Sequence, residues 1–309
     1  MATTFRIAKL ILASVASVLG FAACDSPSQY QKKDDQWFYD SQKLGVAATV
    51  PLTVLGASFA RVGDQIFYRY DAIEGADNAS FVALDAYYGK DKARAYFGDT
   101  YRDARDYFLV KKNRVFTVVG ADAASFRVLR DSYAADTARP YYKGKPFNVR
   151  DVASFEVLDH GFSRDRVRGY SARTEIAGSD GATFISLDPE YARDANRVYY
   201  AFVENQTTGG QMLPTVTVIA GADAASFVAK TGGYAADTRH LYFCGRAIST
   251  SPDGFERLSL SYARTASEVF HDGERVVGAD ASSFKVSQPP EEGVDAADDK
   301  ARYLRGKRI

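Results

Sequence analysis

Short alternations of apolar and polar residues dominate the chain beyond its first two dozen positions. SFRVL (125–129) and SFEVL (154–158) each alternate over about one strand. VYYAF (198–202) and LYFCG (241–245) are aromatic and β-branched runs closed by a glycine or a charged turn, which predicts hairpins. Between such runs stands a segment of another kind: GADAASF at 120–126 and again at 221–227, GADNASF at 75–81 and GADASSF at 278–284. Its glycine ends the preceding strand, its aspartate occupies an N-cap position, and its phenylalanine is the first apolar residue to follow. A single helical turn that folds the ring into the core is the expected structure.

The phenylalanine sets a ruler. Phe59, Phe81, Phe126, Phe155, Phe184, Phe227, Phe255 and Phe284 are separated by 22, 45, 29, 29, 43, 28 and 29 residues, so the chain repeats with a period of about 29. Ten residues after five of these rings comes an aspartate: Asp91, Asp136, Asp165, Asp194 and Asp237, while Thr265 holds that place after Phe255. Five and six residues further on stand the pairs Tyr96-Phe97, Tyr141-Tyr142, Tyr199-Tyr200 and Tyr242-Phe243. A unit this small cannot bury its apolar face alone, so neighbours must stack and share a core. The expected fold is mainly β: tandem repeats of β-hairpins with short helical turns, in an elongated or curved array, with a β-propeller as the alternative.

DKARAYF (91–97), DTARPYY (136–142), DANRVYY (194–200) and DTRHLYF (237–243) give the chain its likeness to a known family. It resembles the DKNYY family of bacterial repeat proteins. KDDQWFYDSQKL (33–44) looks like a degenerate first copy and DDKARYLRGKRI (298–309) like a truncated last one. The resemblance implies the repeat architecture and brings no catalytic residues with it.

The amino terminus reads as an export signal. Arg6 and Lys9 precede the apolar run LILASVASVLGFA (10–22), which is shorter than the ~20 residues that span a bilayer comfortably. Phe21-Ala22-Ala23-Cys24 looks like a bacterial lipobox, with Phe21 where an aliphatic residue is usual; the alternative is an ordinary signal peptide cut after Ala22 or Ala23. The expected organisation is a lipoprotein signal peptide over 1–23, a polar tether over 24–33 and the repeat domain over 34–309. Cys24 is then acylated with palmitate or a related chain and anchors the protein to a membrane of the cell envelope, inner or outer. The only other cysteine is Cys244, so no intramolecular disulfide is expected. Without residues 1–23 the chain carries 37 basic and 39 acidic side chains, a balance that offers nucleic acid no electrostatic footprint.

Candidate chemistry is thin. Asp122 and Asp136, or Asp223 and Asp237, recur 14 apart, but nothing has the dense carboxylate spacing of a calcium loop. His160, His240 and His271 stand in separate units with no zinc-ligand spacing. His240 precedes Cys244 by four, and Cys244 is expected to be an inert core thiol. No GxSxG or HExxH is present, and Ser125 and Ser226 have no base beside them in the sequence. No metal and no cofactor are expected. Each aromatic pair is expected to bury one ring and to offer the other to a surface stripe suited to protein or glycan contact.

The irregularities point elsewhere. Two units swell between the aromatic pair and the next Gly-Ala-Asp, by about 16 residues before Phe126 and about 14 before Phe227. The first excess holds what reads as a partial extra copy, DARDYFLVKKNRVF (103–116). Repeat proteins tend to place such insertions on one face, often the binding face. The expected partner-binding residues are therefore Tyr107, Phe108, Lys111 and Lys112 in one insertion, and Asn205, Gln206, Gln211 and Met212 in the other. The function expected is non-enzymatic: a membrane-tethered lipoprotein that binds a protein partner, one version being an immunity-type inhibitor of an envelope-acting toxin. Glycan binding is the alternative, and an envelope hydrolase ranks last.

Overall fold

The computed structural model describes residues 29–102, 111–203, 213–291 and 293–309. Among them the chain forms nine small antiparallel sheets in sequence order. They cover 30–47 (sheet I), 52–72 (II), 82–117 (III), 127–146 (IV), 156–175 (V), 185–218 (VI), 228–249 (VII), 256–275 (VIII) and 285–308 (IX). Sheet I has three strands and every other sheet four, each paired with the next in the chain.

Sheet IV shows why the residues fold this way. Arg127–Val128, Tyr133–Ala135, Pro140–Tyr142 and Lys145–Pro146 form its strands. The last two strands join through Lys143 (φ 49°) and Gly144 (φ 70°). Positive φ at both central residues is the type I′ geometry that matches strand twist. The same turn recurs as Cys244-Gly245, Asp272-Gly273 and Arg305-Gly306.

The core lies between sheets. Tyr88, Ala95 and Phe97 of sheet III pack with Phe126, Ala134 and Tyr141 of unit IV, and Tyr133 and Phe147 of unit IV pack with Tyr170 of sheet V. Each of eight buried clusters joins two consecutive units in this way, from I–II to VIII–IX. The array is a tandem succession of stacked sheets, none of them closed into a barrel. Burial of one Phe or Tyr ring in such an interface stabilises it by roughly 1.5–3 kcal/mol. Lys90, Arg164 and Arg264 add a polar tie, each donating to carbonyls of the following Gly-Ala-Asp segment or its counterpart.

Three local readings change. The Gly-Ala-Asp segments close as hydrogen-bonded turns, and only Val152–Ser154 is a 3-10 helix. The aspartate does cap: Asp122 accepts from the Ser125 hydroxyl and from the amides of Ala124 and Ser125, and Phe126 plugs the core at 2% exposure. Tyr30–Lys33, read as tether, is the first strand of sheet I, because Tyr30 is buried and donates its hydroxyl to the Ser58 carbonyl at 3.0 Å. Lys111–Thr117, read as part of an extra copy, is one arm of a long hairpin with Ala95–Arg102. Residues 1–28, which hold the expected signal peptide and Cys24, lie outside the described residues.

The second ring of each aromatic pair forms no exposed stripe. Phe97 and Tyr200 are buried, and Tyr142 and Phe243 are half-buried. Strand alternation does send the two rings to opposite faces, but a neighbouring sheet covers both faces. The second ring packs on a tyrosine of the adjacent strand, with centroids 4.8 Å apart for Tyr88 and Phe97 and 4.7 Å for Tyr133 and Tyr142.

Candidate functional site

The repeated aspartates are consumed by structure. Asp136 Oδ1 accepts the amides of Ala138 and Arg139, and Oδ2 accepts the Asp122 amide and the Tyr141 hydroxyl. Asp91, Asp194, Asp237 and Asp298 make the same four bonds with their own neighbours; Asp165 adds a fifth from the Arg150 amide. Burial pushes the Asp136 carboxyl up, but the Tyr141 hydroxyl and the three amides outweigh it and hold the group below its ordinary value. A carboxylate with every acceptor position filled is a fastener, with nothing left for an ion or a proton transfer. Among the described residues no group of three or more His, Cys, Asp or Glu side chains is placed to hold a metal.

A second fastener links units. Tyr88 donates to the Ser132 carbonyl and accepts the Gly144 amide, both at 2.9 Å, so a tyrosine of sheet III holds the hairpin turn of unit IV. Tyr191 holds Gly245, Tyr234 holds Gly273 and Tyr262 holds Gly306 in the same way.

Cys244 is exposed and sits in the turn after Leu241–Phe243, a correction to the core position expected of it. Its own left-handed φ of 47° and the following glycine place it there. His240 lies at the other end of that strand, with Nδ1 3.7 Å from Asp237 Oδ1.

The place where the array departs from repetition is a cleft of about 780 Å³ spanning four consecutive units. Its walls are the two enlarged hairpins. One pairs Ala95–Arg102 with Lys111–Thr117 in sheet III, and the other pairs Val198–Phe202 with Thr215–Val218 in sheet VI. Asp99, Thr100, Tyr101 and Arg114 come from the first wall, and Ala201, Phe202, Val203 and Leu213 from the second. The floor is low because units IV and V keep short turns there, contributing Tyr142, Lys143, His160, Gly161, Ser171 and Ala172. The volume falls within the 300–1,000 Å³ usual for ligand sites.

Electrostatically the cleft is mixed. Arg114 forks onto Asp99, Nε to Oδ1 at 2.9 Å and Nη2 to Oδ2 at 2.5 Å, which holds the guanidinium charged and fixes it 5.7 Å from the Tyr101 ring. On the opposite side burial, and then the neighbouring Asp188, push the Glu190 carboxyl up. Burial and the adjacent Cys244 push the Tyr200 hydroxyl up. His160 Nδ1 lies 3.1 Å from Ser186 Oγ, a contact between neighbouring units. Among the described residues no carboxylate bonds the other ring nitrogen, so the pair lacks the third group that orients a base.

Of the residues expected to bind a partner, Lys112 is half-buried on the strand paired with Tyr101, and Lys111 is described in its backbone alone, opposite Arg102. Tyr107, Phe108, Asn205, Gln206, Gln211 and Met212 lie outside the described residues. Sequence reasoning found the two hairpins but missed the residues between them. His160 and Glu190 stand in loops of ordinary length, where no spacing or motif marks them.

Three overlapping stretches, 59–174, 117–246 and 162–308, match the model of the DKNYY family. No curated protein and no solved structure gives a significant match. Together the stretches run from the second strand of sheet II to the last strand of sheet IX and include all six aspartate–tyrosine fasteners; the chain belongs to the DKNYY family.

Proposed function

We propose that the protein is a non-enzymatic lipoprotein of the bacterial cell envelope, anchored through Cys24, that docks a protein partner between its two long hairpins. One observation carries the reading: the only two large insertions in the Phe ruler, three units apart in the chain, wall the same cleft. Drift in solvent loops has no reason to converge on one site, whereas a docking surface requires it. An immunity-type inhibitor of an envelope-acting toxin is one form this role takes.

The test replaces each long hairpin with the two-residue turn that unit IV uses, Lys143-Gly144. Both variants should fold, because the fasteners lie below the hairpins, and both should lose a partner that the intact chain captures from envelope extract. Capture that survives both replacements overturns the docking reading. A second reading, glycan binding, draws on Tyr101, which is 42% exposed, and on half-buried Tyr142 in the same cleft. Retention on peptidoglycan or polysaccharide, lost on Tyr101→Ala, favours it.

A further inference from the structure

The long hairpins leave strand edges open. Ala95–Phe97 pair with Tyr88–Lys90 on one side, and the Gly98 amide makes the last bond in that direction, to the Tyr87 carbonyl at 2.8 Å. The strand then continues to Arg102, paired only on its other side with Lys111–Thr117. N–H and C=O groups alternate sides along a strand, so the amide and carbonyl of Thr100 point the same way as the Gly98 amide. Among the described residues no strand pairs with them there. The opposite wall repeats the pattern: Ala201 donates to the Glu190 carbonyl at 2.7 Å, and Val203 is the next residue to face that side. Thr100, Ala201 and Val203 all line the cleft.

We propose that the cleft takes an extended polypeptide segment of the partner, added as a strand to the free edge that carries Thr100. This rests on the protein-docking reading above and names the chemistry of the docked element. An open edge offers donors and acceptors spaced two residues apart, about 6.6–6.8 Å, and another extended backbone is the ligand that matches that spacing. Units IV and V, which floor the cleft, keep their outer strands short, two residues in Arg127–Val128 and in Thr174–Glu175. The Thr100 strand differs from them in being eight residues long with half of one edge unpaired inside the cleft. Tyr101, exposed beside it, and Tyr142, half-buried on the floor, supply apolar contact for side chains that project from the added strand.

The probe is a displayed library of random linear peptides, selected on the full-length chain in detergent. Enriched peptides should alternate apolar and polar residues and should slow hydrogen exchange at the Thr100 amide. Thr100→Pro removes that amide without touching the ladder to Lys111–Thr117 and should weaken binding about tenfold or more, whereas Thr100→Ala keeps it and should bind like the parent chain. N-methylation of the peptide tests the same bond without altering the protein: methyl groups on one alternate set of residues should abolish binding, and those on the other set should leave it. Failure to enrich any peptide, equal binding to Thr100→Pro, or indifference to the methyl register overturns the proposal. Self-association of the parent chain that disappears in Thr100→Pro, with no peptide bound, overturns it in favour of edge pairing between two copies. If an envelope partner survives Thr100→Pro but is lost on hairpin shortening, strand addition fails while docking stands. Loss of neither overturns both.

Discussion

Tyr141 donates its hydroxyl to Oδ2 of Asp136 at 2.7 Å, five residues back along the chain, and both side chains are closed off from solvent. The bond ties the two ends of a β-turn, and its aspartate also holds the amide of Asp122 in the preceding segment. Tyr141→Phe keeps the ring and removes the donor, leaving a buried carboxylate one bond short. The expected loss is about 1–3 kcal/mol in urea unfolding. A change smaller than a few tenths would mean that water replaces the phenol.

The same pairs set the response to pH. Asp91, Asp136, Asp165, Asp194, Asp237 and Asp298 are held below the ordinary 3.8, because hydrogen bonds from amides and a tyrosine outweigh the opposing effect of burial. Their folded values lie under the unfolded one, so their contribution is complete above 3.8 and is lost as pH falls through the lower folded values. Tyr96 and Tyr303 are pushed from 10.0 up to about 12 by burial and then by Asp91 and Asp298. Their contribution is complete below 10 and is lost as pH rises through about 12. Urea midpoints should therefore be flat from about pH 5 to 9 and fall on both sides. In Asp136→Asn the acid limb should be shallower.

Glycine substitutions should separate two kinds of turn. Gly120 has φ +74° and open space where a Cβ would stand, whereas a Cβ on Gly144 (φ +70°) would meet the Phe97 Cβ at 2.5 Å. Gly120→Ala is expected to cost about 1 kcal/mol, the left-handed penalty alone. Gly144→Ala adds overpacking against the preceding unit and disturbs the bond from its amide to Tyr88, for about 2–4 kcal/mol. Thermal melts of the two variants compare them directly, and equal shifts would show that the turn does not bear on its neighbour.

Much of this was legible in the sequence, and the parts that were not share a cause. The Phe ruler, the capping aspartate and the interval of five between aspartate and tyrosine are local, so spacing reveals them. Cys244 was misread although its signal was present. It precedes Gly245 as Lys143 precedes Gly144 and Arg305 precedes Gly306, which marks it as a turn residue. The second aromatic ring was misread for a non-local reason: alternation fixes the face on which Tyr200 projects, but not whether a neighbouring unit covers that face. The cleft is non-local too. Both insertions could be placed in the same connection of the repeat, but only the stacking of units IV and V between them brings Thr100 and Phe202 to one cavity.

Unit VIII tests the fastener by natural subtraction. Thr265 replaces the aspartate, and Phe270 stands where units III to VII and unit IX have the tyrosine that bonds it. Both are fully buried, at 2% and 0% exposure. The Thr265 hydroxyl oxygen still accepts the amides of Ser267 and Glu268, at 3.4 and 3.1 Å, so the turn keeps its shape with a weaker acceptor. The two residues depart together because either one alone is costly: a buried carboxylate lacks its phenol, or a buried phenol lacks its carboxylate. Thr265→Asp and Phe270→Tyr should each destabilise the protein as single changes. Combined, they should recover part or all of the loss, with a coupling of about 0.5–3 kcal/mol in a double-mutant cycle measured by urea unfolding. Strict additivity of the two would show that the aspartate and the tyrosine act independently, and the account of units III to VII and IX would have to be revised with this one.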